Sequence, residues 1–331
     1  MHYRIENALS SLRWVIQTIF HISIKRSACL LLAGISLTAQ ATILPETVCR
    51  TQLVEGVNIF YREAGPQSGP VLLLLHGFPS SSFYYRNLIP LMAGKYHVIA
   101  PDYPGFGHSD TPAVDKFEYT FDHVATVMEK FLAAKKATNC IFYMQDYGAP
   151  VGMRIAVNHP EWIAALVFQN GNVYEEGLLE RFFLKKPLWE KRTGATEAPV
   201  LRNMEFDSVK YQYVHGARRP EEMNPDGWTM DFALLERPGN RAIQLELQAD
   251  YGHNLTRYPE WQAWLRKQHP PTLVVWGMND PIFGPKGAEA FTRDVPGAEI
   301  HLLDTGHFAL EEDSNAVAEL MSAFLERHAI H

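Results

Sequence analysis

The chain has 331 residues, of which 47% are hydrophobic and 20% are charged, and its 30 Lys and Arg against 37 Asp and Glu give a formal net charge of -7. The aliphatic and aromatic content is high enough to build a globular core, which excludes an intrinsically disordered chain. The mildly acidic balance, without a block of Lys or Arg, excludes nucleic acid or an anionic membrane as the main partner.

The first 41 residues have a composition of their own. Lys25 and Arg26 precede a twelve-residue weakly apolar run, 28–39, and Ala39-Gln40-Ala41 follows the Ala-x-Ala cleavage pattern. This order is typical of a secretory signal peptide over 1–41, so we expect export to the periplasm or the exterior. The segment before the apolar run is long, which leaves open an uncleaved N-terminal anchor or a start site placed too early. The protein would then be membrane-anchored or cytoplasmic.

Cleavage after Ala41 would remove four basic residues and one acidic residue, so the mature chain of 290 residues would carry a net charge of -10. Cys49 and Cys140 would remain, and an oxidising compartment would permit one disulfide between them. We do not predict that bond, because Cys140 begins an apolar strand pattern while Cys49 lies in a leading segment.

Beyond the leader, strand-like and helix-like segments alternate, which predicts an α/β fold with a mostly parallel sheet. The apolar run 71–75, bounded by Gly and Pro, is typical of a central strand that is buried on both faces. We predict further strands at 96–100, 139–143, 164–168, 271–276 and 299–303. Apolar residues along one face predict helices over 120–137 and near the C-terminus. The position between two predicted strands indicates a further helix over 149–158.

The alternation stops after Asn170. Residues 172–268 are rich in Glu, Leu, Arg, Trp and Pro and contain no apolar run of the kind that predicts a buried strand. We therefore predict a core formed by 42–171 and 269–331, with 172–268 inserted as a helical cap over one end of the sheet.

The strand-to-helix turn at 144–148, Met-Gln-Asp-Tyr-Gly, carries the strongest chemical signal. A turn of the form G-x-S-x-G holds a nucleophile out at the carboxyl end of a sheet. Here Asp146 occupies the Ser position and Met144 the position of the first Gly. Taken alone, Asp146 is better explained as the cap of the following helix.

Residues elsewhere in the chain favour the catalytic interpretation. Asp280 and His307 each follow a predicted core strand, and the order nucleophile, acid, His is that of a catalytic triad at one end of a parallel sheet. The turn His76-Gly-Phe-Pro79 follows the strand 71–75, where the backbone N–H of Phe78 can join that of Tyr147 as an oxyanion hole.

Taken together, these motifs resemble one branch of a known superfamily, the epoxide hydrolases and haloalkane dehalogenases among the α/β hydrolases. The motifs are His76-Gly-Phe-Pro79, Gly105-Phe-Gly-His-Ser109, Gln145-Asp146-Tyr147-Gly148 and Asn279-Asp280-Pro281. The resemblance covers 50–331 and is least specific in the cap. It implies an α/β-hydrolase fold in which Asp146 attacks a carbon and forms a covalent ester. His307, oriented by Asp280, would then activate the water that cleaves this ester.

An aspartate nucleophile is chemically suited to that reaction. A carboxylate with a reference pKa of about 3.9 is already ionised at neutral pH, so it can attack a saturated carbon without a base. In the second step the oxyanion hole would stabilise the charge that develops on the ester carbonyl of Asp146.

The leaving group distinguishes the two activities. Opening an epoxide produces an alkoxide that needs a proton, which a cap tyrosine can supply, whereas a departing halide needs N–H donors. Tyr251 is similar in position to the second acid tyrosine of epoxide hydrolases, and the indole N–H of Trp189 is a candidate halide donor. For both side chains a simple packing role is the alternative. Candidates for the first tyrosine are Tyr174, Tyr211 and Tyr213.

Departures from the dehalogenase pattern favour the epoxide. Haloalkane dehalogenases typically have Trp after the nucleophile and often Asn after the His-Gly turn, whereas this chain has Tyr147 and Phe78. The haloacetate variant has Arg residues beside the nucleophile, where Tyr147 and Pro150 stand here. We therefore predict an epoxide hydrolase that acts on a small apolar organic substrate and water, with haloalkane dehalogenase as the alternative. An inactive relative whose cap pocket only binds a ligand is disfavoured by the intact triad.

We predict no metal and no cofactor. The 14 His residues include no H-E-x-x-H cluster and the three Cys residues no C-x-x-C pair. Gly105-Phe-Gly107 lacks the third Gly and the strand-helix context of a dinucleotide site. Asn170 follows the strand after the elbow helix but, being an amide, cannot act as the triad acid. Glu175 and Glu176 are predicted to be solvated.

Overall fold

The computed structural model describes residues 45–330, so the expected leader, 1–41, lies outside the described residues. Strands and helices alternate through the described chain, as the sequence predicts. The strands are β1 (Val48–Val54), β2 (Val57–Ala64), β3 (Val71–Leu75), β4 (His97–Pro101), β5 (Cys140–Gln145), β6 (Ile163–Gln169), β7 (Thr272–Gly277) and β8 (Glu299–Leu303).

These strands form one eight-stranded sheet in the order β1-β2-β4-β3-β5-β6-β7-β8. The pairs β1-β2 and β2-β4 are antiparallel, and every other pair is parallel. The strands β4, β5 and β7 are buried along their whole length, as parallel strands covered by helices on both faces should be. The sequence predicted the mostly parallel sheet correctly, and β3 and β8 have the predicted bounds.

Helices flank the sheet and form the segment between β6 and β7. The α-helices are α1 (Leu88–Met92), α2 (Phe121–Lys135), α3 (Gly148–Asn158), α4 (Lys186–Glu190), α5 (Gly194–Arg202), α6 (Phe206–Val214), α7 (Asp226–Leu235), α8 (Asn240–Asp250), α9 (Gly252–Gln268), α10 (Lys286–Glu289), α11 (Phe291–Asp294) and α12 (Leu310–Arg327). Thr120 begins α2 because its side chain accepts a hydrogen bond from the His123 N–H, which would otherwise lack a partner in the first turn.

Six α-helices, α4 to α9, lie between β6 and β7, and the described chain has no strand there. This segment is called the cap below. The chain enters the cap at Asn170, whose φ of 45° turns the backbone sharply at the end of β6. None of the helices within 45–330 is long and apolar enough to cross a membrane.

The two described cysteines are both free. Cys49 is exposed on the edge strand β1, whereas Cys140 is buried in β5, with β2, β4 and β3 between them in the sheet. The disulfide that the sequence left open is therefore absent from the described fold.

Candidate active site

The turn between β5 and α3 holds Asp146 in a strained conformation. Its φ is 47°, in the left-handed region that L-residues seldom occupy. The chain can turn this tightly because of Gly148, where a Cβ atom would lie 2.1 Å from the carbonyl oxygen of Leu75 on the neighbouring strand. The elbow therefore places the Asp146 side chain at the carboxyl end of β5, in the middle of the sheet.

The carboxylate of Asp146 faces the predicted oxyanion hole. The Phe78 N–H donates to its Oδ1 at 2.7 Å, and the backbone N–H of Tyr147 also favours the charged form. Burial nevertheless raises the pKa of Asp146 above its ordinary value, although His307 and the Phe78 hydrogen bond oppose the effect. The nucleophile candidate is thus a carboxylate removed from bulk water and held by backbone donors.

His307 and Asp280 form the other half of the predicted triad. The Nδ1 atom of His307 lies 2.6 Å from Oδ2 of Asp280, and neither side chain is exposed. Burial lowers the pKa of His307, but the charge and hydrogen bond of Asp280 outweigh it and leave that pKa raised. The hydrogen bond places the proton on Nδ1, which leaves Nε2 of the neutral ring unprotonated and able to act as a base.

Asp280 is itself held by donors on both oxygens. The Ile282 and Phe283 N–H groups donate to Oδ1 at 2.7 and 3.1 Å. The Asn170 side chain donates to Oδ2 at 2.8 Å and also exchanges hydrogen bonds with the backbone of Gly277. Asn170 therefore positions Asp280, a contact that the sequence alone did not show.

Nε2 of His307 lies between the nucleophile and a side chain that the sequence did not single out. It is 3.9 Å from Oδ2 of Asp146, too far for a hydrogen bond, and 3.0 Å from the amide nitrogen of Gln145. The ring nitrogen thus accepts from Gln145 rather than pairing with the nucleophile. A water molecule must displace the Gln145 hydrogen bond before it can reach this base.

A small cavity of about 50 Å³ reaches this carboxylate. Core and cap contribute to its wall, including Phe78, Asp146, Tyr147, Phe182, Lys185 and Gln248. Its wall combines aromatic rings with polar groups, as ligand sites commonly do.

The two predicted leaving-group residues do not line this cavity. The indole N–H of Trp189 donates to the backbone oxygen of Gln248 at 2.9 Å, so the proposed halide donor is already engaged. Tyr251 is fully buried with its ring 5.6 Å from that of Tyr147. Burial, and then the nearby Tyr258 and Asp146, raise the pKa of Tyr251 well above its ordinary value. Tyr251 supports the wall of the site from behind.

None of the three candidates for a first acid tyrosine lines the cavity either. The buried Tyr174 packs its ring against Phe291. Tyr211 lies under the guanidinium of Arg181, and the hydroxyl of Tyr213 donates to Asp231. Glu175 and Glu176 are exposed, as predicted. Within 45–330 there is no group of three or more His, Cys, Asp or Glu side chains that could hold a metal.

The fold and the site together are those of an α/β hydrolase. Residues 70–314 match the protein family described as the alpha/beta hydrolase fold. The chain is 43% identical to the uncharacterized hydrolase YNR064C of Saccharomyces cerevisiae, over 84% of this chain and 97% of that one. The chain belongs to the α/β-hydrolase family, and it is an enzyme of that family.

More distant relatives carry the names of both predicted activities. A haloalkane dehalogenase of Mycobacterium marinum is 30% identical over 80% of this chain and 87% of its own length. Epoxide hydrolase 3 of Mus musculus is 25% identical over 82% of this chain and 74% of its own. The crystal structure of haloalkane dehalogenase DbeA from Bradyrhizobium elkani superposes with a TM-score of 0.72 at 21% identity, over 86% of this chain and 99% of that one. The last likeness concerns the fold alone.

Proposed function

We propose that this hydrolase works through a covalent alkyl ester on Asp146 and that its substrate is a small epoxide. The observation that carries the proposal is the geometry around that carboxylate. A backbone N–H holds Oδ1 at 2.7 Å, while Oδ2 lies 3.9 Å from the base His307 and is free to attack. A serine hydrolase instead needs its base in contact with the nucleophile, to remove the hydroxyl proton.

The second step uses the same groups in a different order. Once Asp146 is an ester, its carbonyl oxygen would accept from the Phe78 and Tyr147 N–H groups, which then stabilise the tetrahedral intermediate. His307 takes a proton from a water molecule that attacks the carbonyl carbon, and Asp280 stabilises the imidazolium that forms. The ester bond breaks with its electron pair on the leaving oxygen, which takes the proton from the imidazolium and completes the diol, and the carboxyl group of Asp146 returns its remaining proton to solvent.

The side chains that bind a halide in the dehalogenase pattern are engaged or replaced in this chain, which supports an epoxide over a halide. A halide needs polarised N–H donors at the leaving-group position, and the indole of Trp189 is bonded to a backbone oxygen instead. The residues after the nucleophile and after the His-Gly turn, Tyr147 and Phe78, contribute no side-chain N–H. Halide displacement by Asp146 is the second candidate, because a relative named haloalkane dehalogenase is 30% identical to this chain over the aligned residues.

Trapping the intermediate tests the proposal. We expect a His307→Gln variant, incubated with a styrene oxide or alkyl epoxide panel, to accumulate an ester on the peptide that contains Asp146. Mass spectrometry of the proteolysed enzyme would show the substrate mass added there. A matched His307→Gln, Asp146→Asn double variant removes the nucleophile and should show no adduct.

Product analysis of the wild-type enzyme separates the two activities. Diol formation from the epoxide panel, without halide release from matched bromoalkanes and chloroalkanes, is the expected result. Halide release without diol formation would favour the second candidate, a haloalkane dehalogenase. If the His307→Gln variant forms no adduct with either panel, the enzyme does not use the covalent mechanism.

A further inference from the structure

The cavity holds a cation that the triad does not account for. Lys185 ends a 3-10 segment, Glu180–Lys185, in the cap, and its half-buried side chain lines the same cavity as Asp146. Its Nζ atom lies 4.3 Å above the ring of Tyr251 and 4.5 Å from the ring of Phe182. Two aromatic faces therefore hold the ammonium in place.

The hydrogen-bonding partner of this ammonium is neutral. Nζ donates to the amide oxygen of Gln248 at 3.2 Å, and an ammonium has three N–H donors. The carboxylate that acts on it electrostatically is Asp146, which lines the same cavity. The adjacent Lys186 differs, since it is exposed and lies 3.9 Å from Glu190 on its own helix. Lys185 thus shares the cavity with Asp146 and has donors that Gln248 does not use.

The surroundings also make this ammonium a better acid than an exposed lysine. Burial lowers the pKa of Lys185 to about 8, although the charge of Asp146 acts in the opposite direction. The group is therefore mostly protonated at neutral pH yet gives up a proton readily. Efficient general acids have a pKa close to the operating pH.

We propose that Lys185 is the proton donor to the leaving oxygen, an inference that rests on the proposed function. Asp146 forms a bond to one epoxide carbon while the bond from that carbon to oxygen breaks, and the electron pair stays on the oxygen. That oxygen takes a proton from Nζ and becomes a hydroxyl, which leaves Lys185 as a neutral amine. After the water step, Lys185 regains a proton from solvent, so the sum is epoxide plus water to diol.

The neighbours of Lys185 take supporting parts. Tyr251 is the aromatic platform beneath the ammonium, which accounts for its burial. Arg181 is a second cation in the cavity wall, with its guanidinium 4.4 Å from the ring of Tyr211. An arginine stays charged throughout the accessible pH range, so Arg181 contributes positive charge without a transferable proton.

The rate of ester formation in the His307→Gln background tests the proposal. There we expect Lys185→Met to slow alkylation by roughly 10²–10⁴-fold, the range of general acid catalysis. The same change at the adjacent position, Lys186→Met, should leave the rate unchanged. Quenched-flow mass spectrometry of the Asp146 peptide measures each rate.

Two further readouts distinguish proton donation from a structural role. A trifluoromethyl epoxide yields a more stable alkoxide than its methyl analogue, so Lys185→Met should slow it less. Alkylation should also fall as the pH rises through about 8, the pKa of Lys185. In Lys185→Arg this decline should disappear, because the guanidinium stays protonated. This variant keeps the charge in the cap and remains informative if the methionine variant folds poorly.

The outcomes are distinct. An unchanged alkylation rate in Lys185→Met would overturn the assignment. So would an equal loss for both epoxides combined with a pH profile that Lys185→Arg does not alter. If the His307→Gln background itself forms no ester, the proposed function fails and the role of Lys185 fails with it.

Discussion

The hydrogen bond between His307 and Asp280 leads to a prediction about the rate and pH dependence of ester hydrolysis. We expect Asp280→Asn to slow ester hydrolysis and to move the acid limb of its pH profile to lower pH. The two atoms are 2.6 Å apart and both side chains are completely buried, so the pair is not screened by solvent. Asparagine keeps the shape of the side chain but removes its charge.

The size of the effect follows from the bond that is lost. A hydrogen bond to a charged group contributes about 1.5–3 kcal/mol, and the charge of Asp280 stabilises the imidazolium that forms as water is deprotonated. Because about 1.4 kcal/mol corresponds to a tenfold change in rate, loss of the charge alone should slow hydrolysis by roughly 10- to 150-fold. The new amide N–H faces Nδ1, because Ile282 and Phe283 hold Oδ1, and should slow hydrolysis further by favouring the wrong ring tautomer. Ester formation requires no base and should change far less.

The direction of the pH shift comes from the forces on His307. Burial lowers the pKa of this ring, while Asp280 holds it above the ordinary value. His307 must be neutral to act as a base, so the rate rises as the pH passes through that pKa. Without the carboxylate, burial dominates and the pKa falls. In the ester intermediate Asp146 carries no charge and cannot take the place of Asp280.

Rapid-quench measurement of ester decay between pH 4 and 9 tests this expectation. Asp304→Asn is the matched control, because Asp304 is exposed, precedes His307 by three residues and pairs with Asn279. It should behave as the wild type. An acid limb that stays in place or moves to higher pH in Asp280→Asn would refute the reasoning.

Two further substitutions test the geometry of the site. A Cβ at Gly77 would lie 2.2 Å from Cβ of Asp146, so Gly77→Ala should displace the nucleophile and reduce turnover at least 100-fold. Gly297→Ala is the control, because a Cβ there would have no atom within 4 Å, and it should leave turnover unchanged. A Gly77→Ala enzyme with normal turnover would contradict the placement. Asn170→Ala strips partners from the buried backbone of Gly277 and from Asp280, so urea denaturation should show a loss of about 3 kcal/mol in the free energy of unfolding. A loss below about 1 kcal/mol would show that the hydrogen bonds of Asn170 do not stabilise the segment that carries Gly277 and Asp280.

The sequence predicted the parts of the fold that continuous apolar runs specify. The strand at Val71–Leu75 agrees to the residue, because a strand buried on both faces has no polar position to obscure its bounds. The hairpin of β1 and β2 was missed. Its first strand lies at the sheet edge and exposes Cys49, Arg50 and Thr51, so no apolar run marks it.

The grouping of the three candidate triad residues could be predicted for a related reason. Asp146, Asp280 and His307 each lie close after a strand of one parallel sheet, and the carboxyl ends of such strands meet at one edge. Chain order and strand position therefore bring the three together before any contact is known.

The cap residues could not be placed in this way. Lys185 meets Gln248 only through tertiary packing, and no local pattern encodes such a pairing. The same holds in the core for the contact of Gln145 with His307. Trp189 was a reasonable halide donor by residue type, because an indole carries an N–H group. In the structure this N–H donates to a backbone oxygen. The leaving-group side of the site therefore depends on the cap geometry.

The covalent role of Asp146 can be tested most directly with labelled water. In a single turnover with excess wild-type enzyme in H₂¹⁸O, water attacks the ester carbonyl, so the account predicts an unlabelled diol and one ¹⁸O atom in the peptide that contains Asp146. A labelled diol with an unlabelled peptide would show that water attacks the epoxide itself, and it would contradict the account.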